Sequence, residues 1–145
     1  METVFDLLQS KGQGFVSVTS AAKVREAAHV MNRHGIGSVL VLDGGRLVGI
    51  FTERDVLRRV VAESRPPEST CVREVMTTDV LCCSPCMPVD EVAELMRARR
   101  VRHLPVVDED GGVVGLVSIG DVNAHRFATC EVELHQVQDY MFRRA

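Results

Sequence analysis

Two short strings carry residue types that could hold a ligand, Thr52-Glu-Arg-Asp55 and Ser118-Ile-Gly-Asp121. Each sets a hydroxyl three residues ahead of an aspartate, at the junction of an apolar run and a helical pattern. One reading is capping: a Thr or Ser N-cap with an acid in the first turn, which the helix dipole favours. The other is recognition: a helix N-terminus offers free N–H groups to an anion, and an Asp one turn in accepts hydrogen bonds from both hydroxyls of a ribose. Capping alone accounts for one such string, whereas its recurrence at equivalent places favours recognition. Cys83-Ser-Pro-Cys86 has the C-x-x-C spacing of redox and zinc half-sites, but no second pair completes four metal ligands. Incidental thiols and a redox pair both fit it. No G-x-S-x-G, H-E-x-x-H or G-x-x-x-x-G-K-[ST] string occurs, so no catalytic residue and no metal site is expected.

The elements that position these strings come from an internal repeat. Val24-Arg-Glu-Ala-Ala-His-Val-Met31 aligns with Val89-Asp-Glu-Val-Ala-Glu-Leu-Met96, and Val41-Leu-Asp43 with Val106-Val-Asp108 in the same register. One extra residue near Glu109 then shifts the alignment, so that Val48-Gly49 meets Val114-Gly115 and Asp55-Val56 meets Asp121-Val122. Between Val24 and Val56, 11 aligned positions are identical. Each repeat reads as helix, strand, strand, helix. Val24, Ala27, Ala28 and Met31 form one apolar stripe. Ser38–Leu42 and Leu47–Phe51 flank the turn Asp43-Gly-Gly45, and His103–Val107 and Val113–Val117 flank Asp108–Gly112. A short strand is expected ahead of each repeat's helix, at Phe15–Val18 and Val80–Cys83. Ser64–Thr70, with two prolines, reads as a linker, and Val72–Met76 as one helical turn. A unit of roughly 55 residues holds a core poorly alone. Two packed together predict a pseudo-two-fold α/β (α+β) module with a groove between the halves.

The chain has 145 residues, 46% of them hydrophobic and 26% charged, with a net charge of −3. That composition excludes disorder for most of the chain. No apolar run reaches the roughly 20 residues of a membrane span, and METVFDLLQSK lacks the basic head and apolar stretch of an export signal. The acidic balance argues against DNA binding. Five cysteines, an odd count, suit reduced thiols and a cytoplasmic location.

Gly49-Ile-Phe-Thr-Glu-Arg-Asp55, Arg102-His-Leu-Pro-Val-Val-Asp108 and Gly115-Leu-Val-Ser-Ile-Gly-Asp121, with Met76-Thr-Thr-Asp-Val80 ahead of Ser84-Pro85, together resemble the tandem cystathionine-β-synthase (CBS) domain pair of the small stand-alone bacterial type. The resemblance covers about residues 15–125. It implies two β-α-β-β-α repeats, with a short N-terminal and a longer C-terminal helix. The segments are then 1–14, an N-terminal helical segment; 15–63, the first repeat; 64–78, a linker; 79–125, the second repeat; and 126–145, a C-terminal helical extension. It also implies a regulatory module without chemistry, binding AMP, ADP, ATP, NAD or S-adenosylmethionine between the repeats. The motif residues carry over as Thr52, Asp55, Ser118 and Asp121; the hairpin-opening residues as Gly37, Ser38, Arg102 and His103; the entrance hydroxyls as Thr19 and Ser84. Arg54 is a further phosphate candidate, and Lys11, near the first entrance strand, could approach a phosphate.

The repeats differ: Arg102 and His103 stand where the first offers Gly37 and Ser38, and Arg54 stands where the second has Gly120. One stronger site is expected, around Asp121. Phe127, Cys130, Leu134, Val137 and Met141 are spaced like a short coiled-coil seam. That stripe either packs back on Val4–Leu8 or joins two copies, and the resemblance favours a homodimer that relays ligand binding to a regulated protein. Two other readings remain: a dimerisation scaffold that binds no ligand, and a thiol redox protein using Cys83 and Cys86.

Overall fold

Caps and turns set the element boundaries. The computed structural model describes residues 2–12 and 14–143; Met1, Gln13, Arg144 and Ala145, which fall in the expected 1–14 and 126–145 segments, lie outside the described residues. Thr3 caps α1 (Val4–Lys11), its hydroxyl accepting from the Asp6 N–H while the Thr3 N–H donates to Asp6 Oδ2 at 2.9 Å. Gly12, at a φ of 97°, ends the helix. After β1 (Ser17–Val18), α2 (Val24–His34) buries Val24, Ala27 and Met31, the stripe read from the sequence, and stops at left-handed Gly35. β2 (Ser38–Asp43) and β3 (Arg46–Thr52) form an antiparallel hairpin whose turn residues Gly44 and Gly45 both have positive φ, as a tight hairpin turn demands. α3 (Glu53–Asp55) runs on into a wider π-helical turn over Val56–Val61, which buries Val60 and lets Arg59 donate to the Met76 carbonyl at 2.8 Å. The second half comprises α4 (Val72–Val75), α5 (Val89–Arg99), β4 (His103–Val107), β5 (Val113–Ser118) and α6 (Ile119–Arg143).

The two sheets differ where a strand was expected twice. The first has three strands in the order β1-β2-β3, with β1 parallel to β2; the second has only β4 and β5. The strand expected at Val80–Cys83 is reduced to one parallel bridge between Cys83 and Val106. In the first repeat the Leu40 N–H donates to the Val16 carbonyl at 3.2 Å. Pro105 occupies the position aligned with Leu40 and has no N–H, so that bond has no counterpart.

The larger departure concerns which helix completes which half. Val4, Leu7 and Leu8 of α1 are buried with Val89, Val92, Met96, Leu104, Val106 and Val117, the core of the second repeat. Val72 and Val75 of α4 are buried with Val24, Ala27, Val39, Val41 and Phe51, the core of the first. Each helix therefore precedes one repeat and packs on the other. The docking bonds match pair by pair. Val4 N–H donates to Met87 O at 2.9 Å and Val72 N–H to Ala22 O at 2.8 Å; Phe5 N–H donates to Pro85 O at 2.9 Å and Arg73 N–H to Ser20 O at 3.0 Å. The pseudo-two-fold thus extends beyond the hairpins to these helices.

α6 shares its first turns with this arrangement through buried Val122, and beyond it the helix leaves the core. Phe127, Leu134, Val137 and Met141, all more than half exposed, do not fold back on α1; of the two fates open to the stripe, packing on Val4–Leu8 is the one the structure rejects. The reason is that α1 already spends its apolar face on the second repeat. No helix among the described residues is long and apolar enough to cross a membrane. Because α1 supplies core to a repeat distant in sequence, Leu8→Ala should lower the unfolding free energy by about 3 kcal/mol in urea titrations. Phe5→Ala on the same helix, at a side chain 51% exposed, should change it by less than about 0.5 kcal/mol.

Candidate functional site

Both hydroxyl–aspartate pairs form capping boxes. At the start of α3 the Thr52 N–H donates to Asp55 Oδ2 at 3.0 Å and the Asp55 N–H to Thr52 Oγ1 at 3.2 Å. At the start of α6 the Ser118 N–H donates to Asp121 Oδ2 at 2.9 Å and the Asp121 N–H to Ser118 Oγ at 3.1 Å. The capping account therefore holds in both repeats. What separates the two aspartates is how their remaining acceptor capacity is used.

Asp55 is buried. Thr77 donates its hydroxyl to Asp55 Oδ1 at 3.2 Å, and the Arg59 guanidinium lies 3.8 Å from the same oxygen. Thr77 is fixed by its backbone, exchanging two hydrogen bonds of 2.9 Å with Ile50. Asp121 is half-buried, and its outer partner is a side chain: Lys11 Nζ donates to Asp121 Oδ2 at 2.6 Å and to the Leu116 carbonyl at 2.8 Å. Leu116 aligns with Ile50. One lysine ammonium therefore does in the second repeat what the Thr77 backbone and hydroxyl do in the first. A backbone bridge closes the Asp55 side; a flexible side chain leaves the Asp121 side open.

A cleft of about 360 Å³ lies there, within the size range of small-molecule sites. Its walls come from both halves: Gly37 and Ser38 from the first repeat, His103, Ser118 and Asp121 from the second, with Lys11 at the end of α1. Phe15, Val16, Ile36 and Leu116 add apolar surface. A larger hollow of about 820 Å³ runs along α2 past Glu26, His29 and Arg33, but a single helix lines it and no groups from other elements converge on it.

Ser38 is 2% exposed, and its hydroxyl has no hydrogen-bond partner among the described residues. Buried hydroxyls nearly always have one, and this one sits on the cleft wall. Burial acts to raise the Asp121 carboxyl, but the Lys11 ammonium and the Ser118 N–H and hydroxyl outweigh it, holding it below its ordinary value. Burial pushes the His103 imidazole below its ordinary value, with Lys11 and Arg102 adding to that and Asp121 opposing it. The cleft thus pairs one carboxylate with one ammonium beside an imidazole biased towards its neutral form.

Of the residues singled out from the sequence, Lys11, Gly37, Ser38, His103, Ser118 and Asp121 meet in this cleft. Thr52 and Asp55 lie at the closed pseudo-symmetric position. Arg54 is exposed on the surface of α3. Thr19 is exposed at a turn, and Ser84 caps another, its hydroxyl accepting from the Cys86 N–H at 3.1 Å. Arg102 is exposed outside the lining; its carbonyl accepts from the Ile119 N–H at 2.8 Å, and its charge acts on His103. Local signals did not mark Phe15, Val16 or Leu116, and Lys11 carried no pattern of its own, because its place depends on α1 crossing to the second repeat. The redox reading loses Cys83 as a nucleophile: it is buried in the second core, and burial, with Cys82 adjoining, pushes its thiol up to about 12.

A family model for the CBS domain matches the chain twice, over residues 6–62 and 72–126. The chain is 40% identical to a CBS-domain protein of Burkholderia ambifaria, with a TM-score of 0.82 over 88% of this chain and 95% of that one. At 28% identity and a TM-score of 0.78 it resembles the CBS domain pair of protein MJ0100, solved in complex with 5′-methylthioadenosine and S-adenosyl-L-methionine, over 89% and 98% of the two chains. At 28% identity and a TM-score of 0.74 it resembles a CBS domain protein of Pyrobaculum aerophilum complexed with AMP, over 83% and 89%. A mitochondrial CBS domain-containing protein of Arabidopsis thaliana is 36% identical over 129 residues, covering 83% of this chain but 62% of that relative.

Two outcomes follow from the electrostatics. Since the folded Asp121 carboxyl lies below 3.8, its ionised form contributes stability above that pH and loses it as the pH falls through the lowered folded-state value. The gap in urea midpoint between the parent and Asp121→Asn should therefore shrink as the pH is taken from about 6 to about 3. A thiol reagent applied to the folded protein at a pH of about 8 should label exposed Cys86 and Cys130 rapidly and Cys83 only on unfolding.

Proposed function

The chain belongs to the CBS-domain family, and on that premise we propose that it is a non-catalytic regulatory module binding an adenosyl ligand, of the group AMP, ADP, ATP, NAD and S-adenosylmethionine, in the cleft at Asp121. The observation that carries this reading is the unpartnered, buried hydroxyl of Ser38, a residue of the cleft wall that Asp121 completes from the other repeat. Asp121 accepts from the ribose hydroxyls, and the Ser118 hydroxyl serves the phosphate end. Gly37 and Ser38 meet the base, and His103 lines the site between them. The complexes of MJ0100 and of the Pyrobaculum protein support the ligand class.

Occupancy is one ligand per chain, because Asp55 is buried under Thr77 and Arg59. The remaining candidates Thr19, Thr52, Arg54, Ser84 and Arg102 then serve capping, surface or turn roles. The repeats span 15–63 and 79–125 in this scheme, so a ligand touching Ser38 and Asp121 bridges them and favours one relative arrangement. The exposed stripe of α6 pairs two copies, and a regulated protein partner reads the change. The five free cysteines suit a reducing, cytoplasmic setting.

The α6 stripe also favours a second reading, a dimerisation scaffold without a ligand. Isothermal titration of nucleotide-stripped protein against the five compounds separates them: a clear preference at one site per chain supports the sensor, and no heat or thermal shift with any supports the scaffold. Asp121→Ala should weaken binding by at least about 1.5 kcal/mol. Ser38→Ala should weaken binding while leaving the melting temperature unchanged or raised, since it deletes an unsatisfied buried group.

A further inference from the structure

Lys11 reaches the cleft from outside both hairpins. It is the last residue of α1, held in place by Leu7 and Leu8 in the second core and released from the helix by Gly12. Its ammonium bridges Asp121 and the Leu116 carbonyl. Of the side chains lining the cleft, only Lys11, Asp121 and His103 titrate; Arg102 lies exposed outside the lining. Lys11 is accordingly the sole permanent cation among those lining residues. At Gly37, on the first-repeat wall, the Glu53 carboxylate stands 3.3 to 3.4 Å from where a Cβ would sit. An anionic group is disfavoured there, so the phosphate end of a ligand lies on the Lys11 side.

We propose that Lys11 selects the charge class of the ligand, reserving the cleft for adenosyl compounds that carry a phosphate next to the ribose over neutral or sulfonium ones. This rests on the adenosyl reading of the cleft. A lone carboxylate at Asp121 would attract a sulfonium and repel a phosphate; the ammonium at 2.6 Å cancels that field. A ribose hydroxyl that donates to Asp121 Oδ2 competes with Lys11 for that oxygen, and an ammonium has three donors to redirect. With a 5′-phosphate present, the displaced donor gains a charge-assisted bond. With adenosine it loses a partner and gains none. With S-adenosylmethionine it faces a like charge. The corresponding position in the first repeat cannot do this, because Asp55 is buried beneath Thr77, whose backbone bridge is fixed, and its neighbouring cation, Arg59, is tied to the Met76 carbonyl.

The test is equilibrium binding of AMP, adenosine and S-adenosylmethionine to the full chain and to its Lys11→Met and Lys11→Arg variants, with urea midpoints recorded as a folding control. The parent should bind AMP at least about tenfold tighter than either other compound, and more weakly as salt is raised. Lys11→Met should bring the AMP-to-adenosine ratio below about threefold while moving adenosine itself by less than about threefold. It should also tighten S-adenosylmethionine. Lys11→Arg should keep the AMP preference. Equal losses for AMP and adenosine in Lys11→Met, or a parent that binds adenosine or S-adenosylmethionine as tightly as AMP, would overturn the proposal. A parent that binds none of the three overturns charge selection, and one that also binds none of ADP, ATP and NAD overturns the adenosyl reading itself.

Discussion

A two-stranded hairpin with one helix against it leaves part of its apolar face open, and in this chain each repeat closes that face with a helix that precedes the other. α1 seals the second core with Val4, Leu7 and Leu8, and α4 seals the first with Val72 and Val75. The exchange is held by backbone hydrogen bonds at matched positions, Val4 to Met87 and Val72 to Ala22 among them, so it is specified by main-chain geometry as well as by apolar burial. Neither repeat has a complete core of its own. The cleft depends on this too, since its cation and one edge of its wall arrive with α1 and the segment after it.

Near-symmetry makes the differences between the halves informative. The same hydroxyl–aspartate motif builds the same capping box twice, yet Asp121 lines a cleft and Asp55 is buried. α4 ends after one turn, and the chain then pairs Thr77 with Ile50, burying Asp55. α1 continues for a second turn and presents Lys11 instead. A main-chain bridge is rigid and a lysine side chain is not, so a difference of one helical turn separates a closed position from an open one. Pro105 has a comparable effect in the sheets, where one missing N–H reduces an expected strand to a single bridge.

The fate of α6 follows from the same exchange. With Val4, Leu7 and Leu8 of α1 committed to the second core, the stripe from Phe127 to Met141 has no part in it and stays exposed along the helix. Burial decides the thiols as well. Cys83 and Cys86 share a redox spacing, but one lies in the core and the other in solvent, which a spacing cannot register.

The sequence by itself determined the local and repeated features: the hairpins with their glycine turns, the buried stripe of α2, the capping positions at Thr52 and Ser118, and the family to which they belong. These are legible because periodicity, turn chemistry and capping act over a few residues, and because the repeat states each signal twice. Tertiary structure alone decided which helix completes which core, that Ser38 and Asp121 share one cleft, that Asp55 is sealed, and that Lys11 sits beside Asp121 across an ion pair 110 positions long in sequence. Contacts between elements far apart in the chain leave no periodic trace. They are set by which apolar faces remain uncovered once the local elements have formed, and that is a property of the packed molecule.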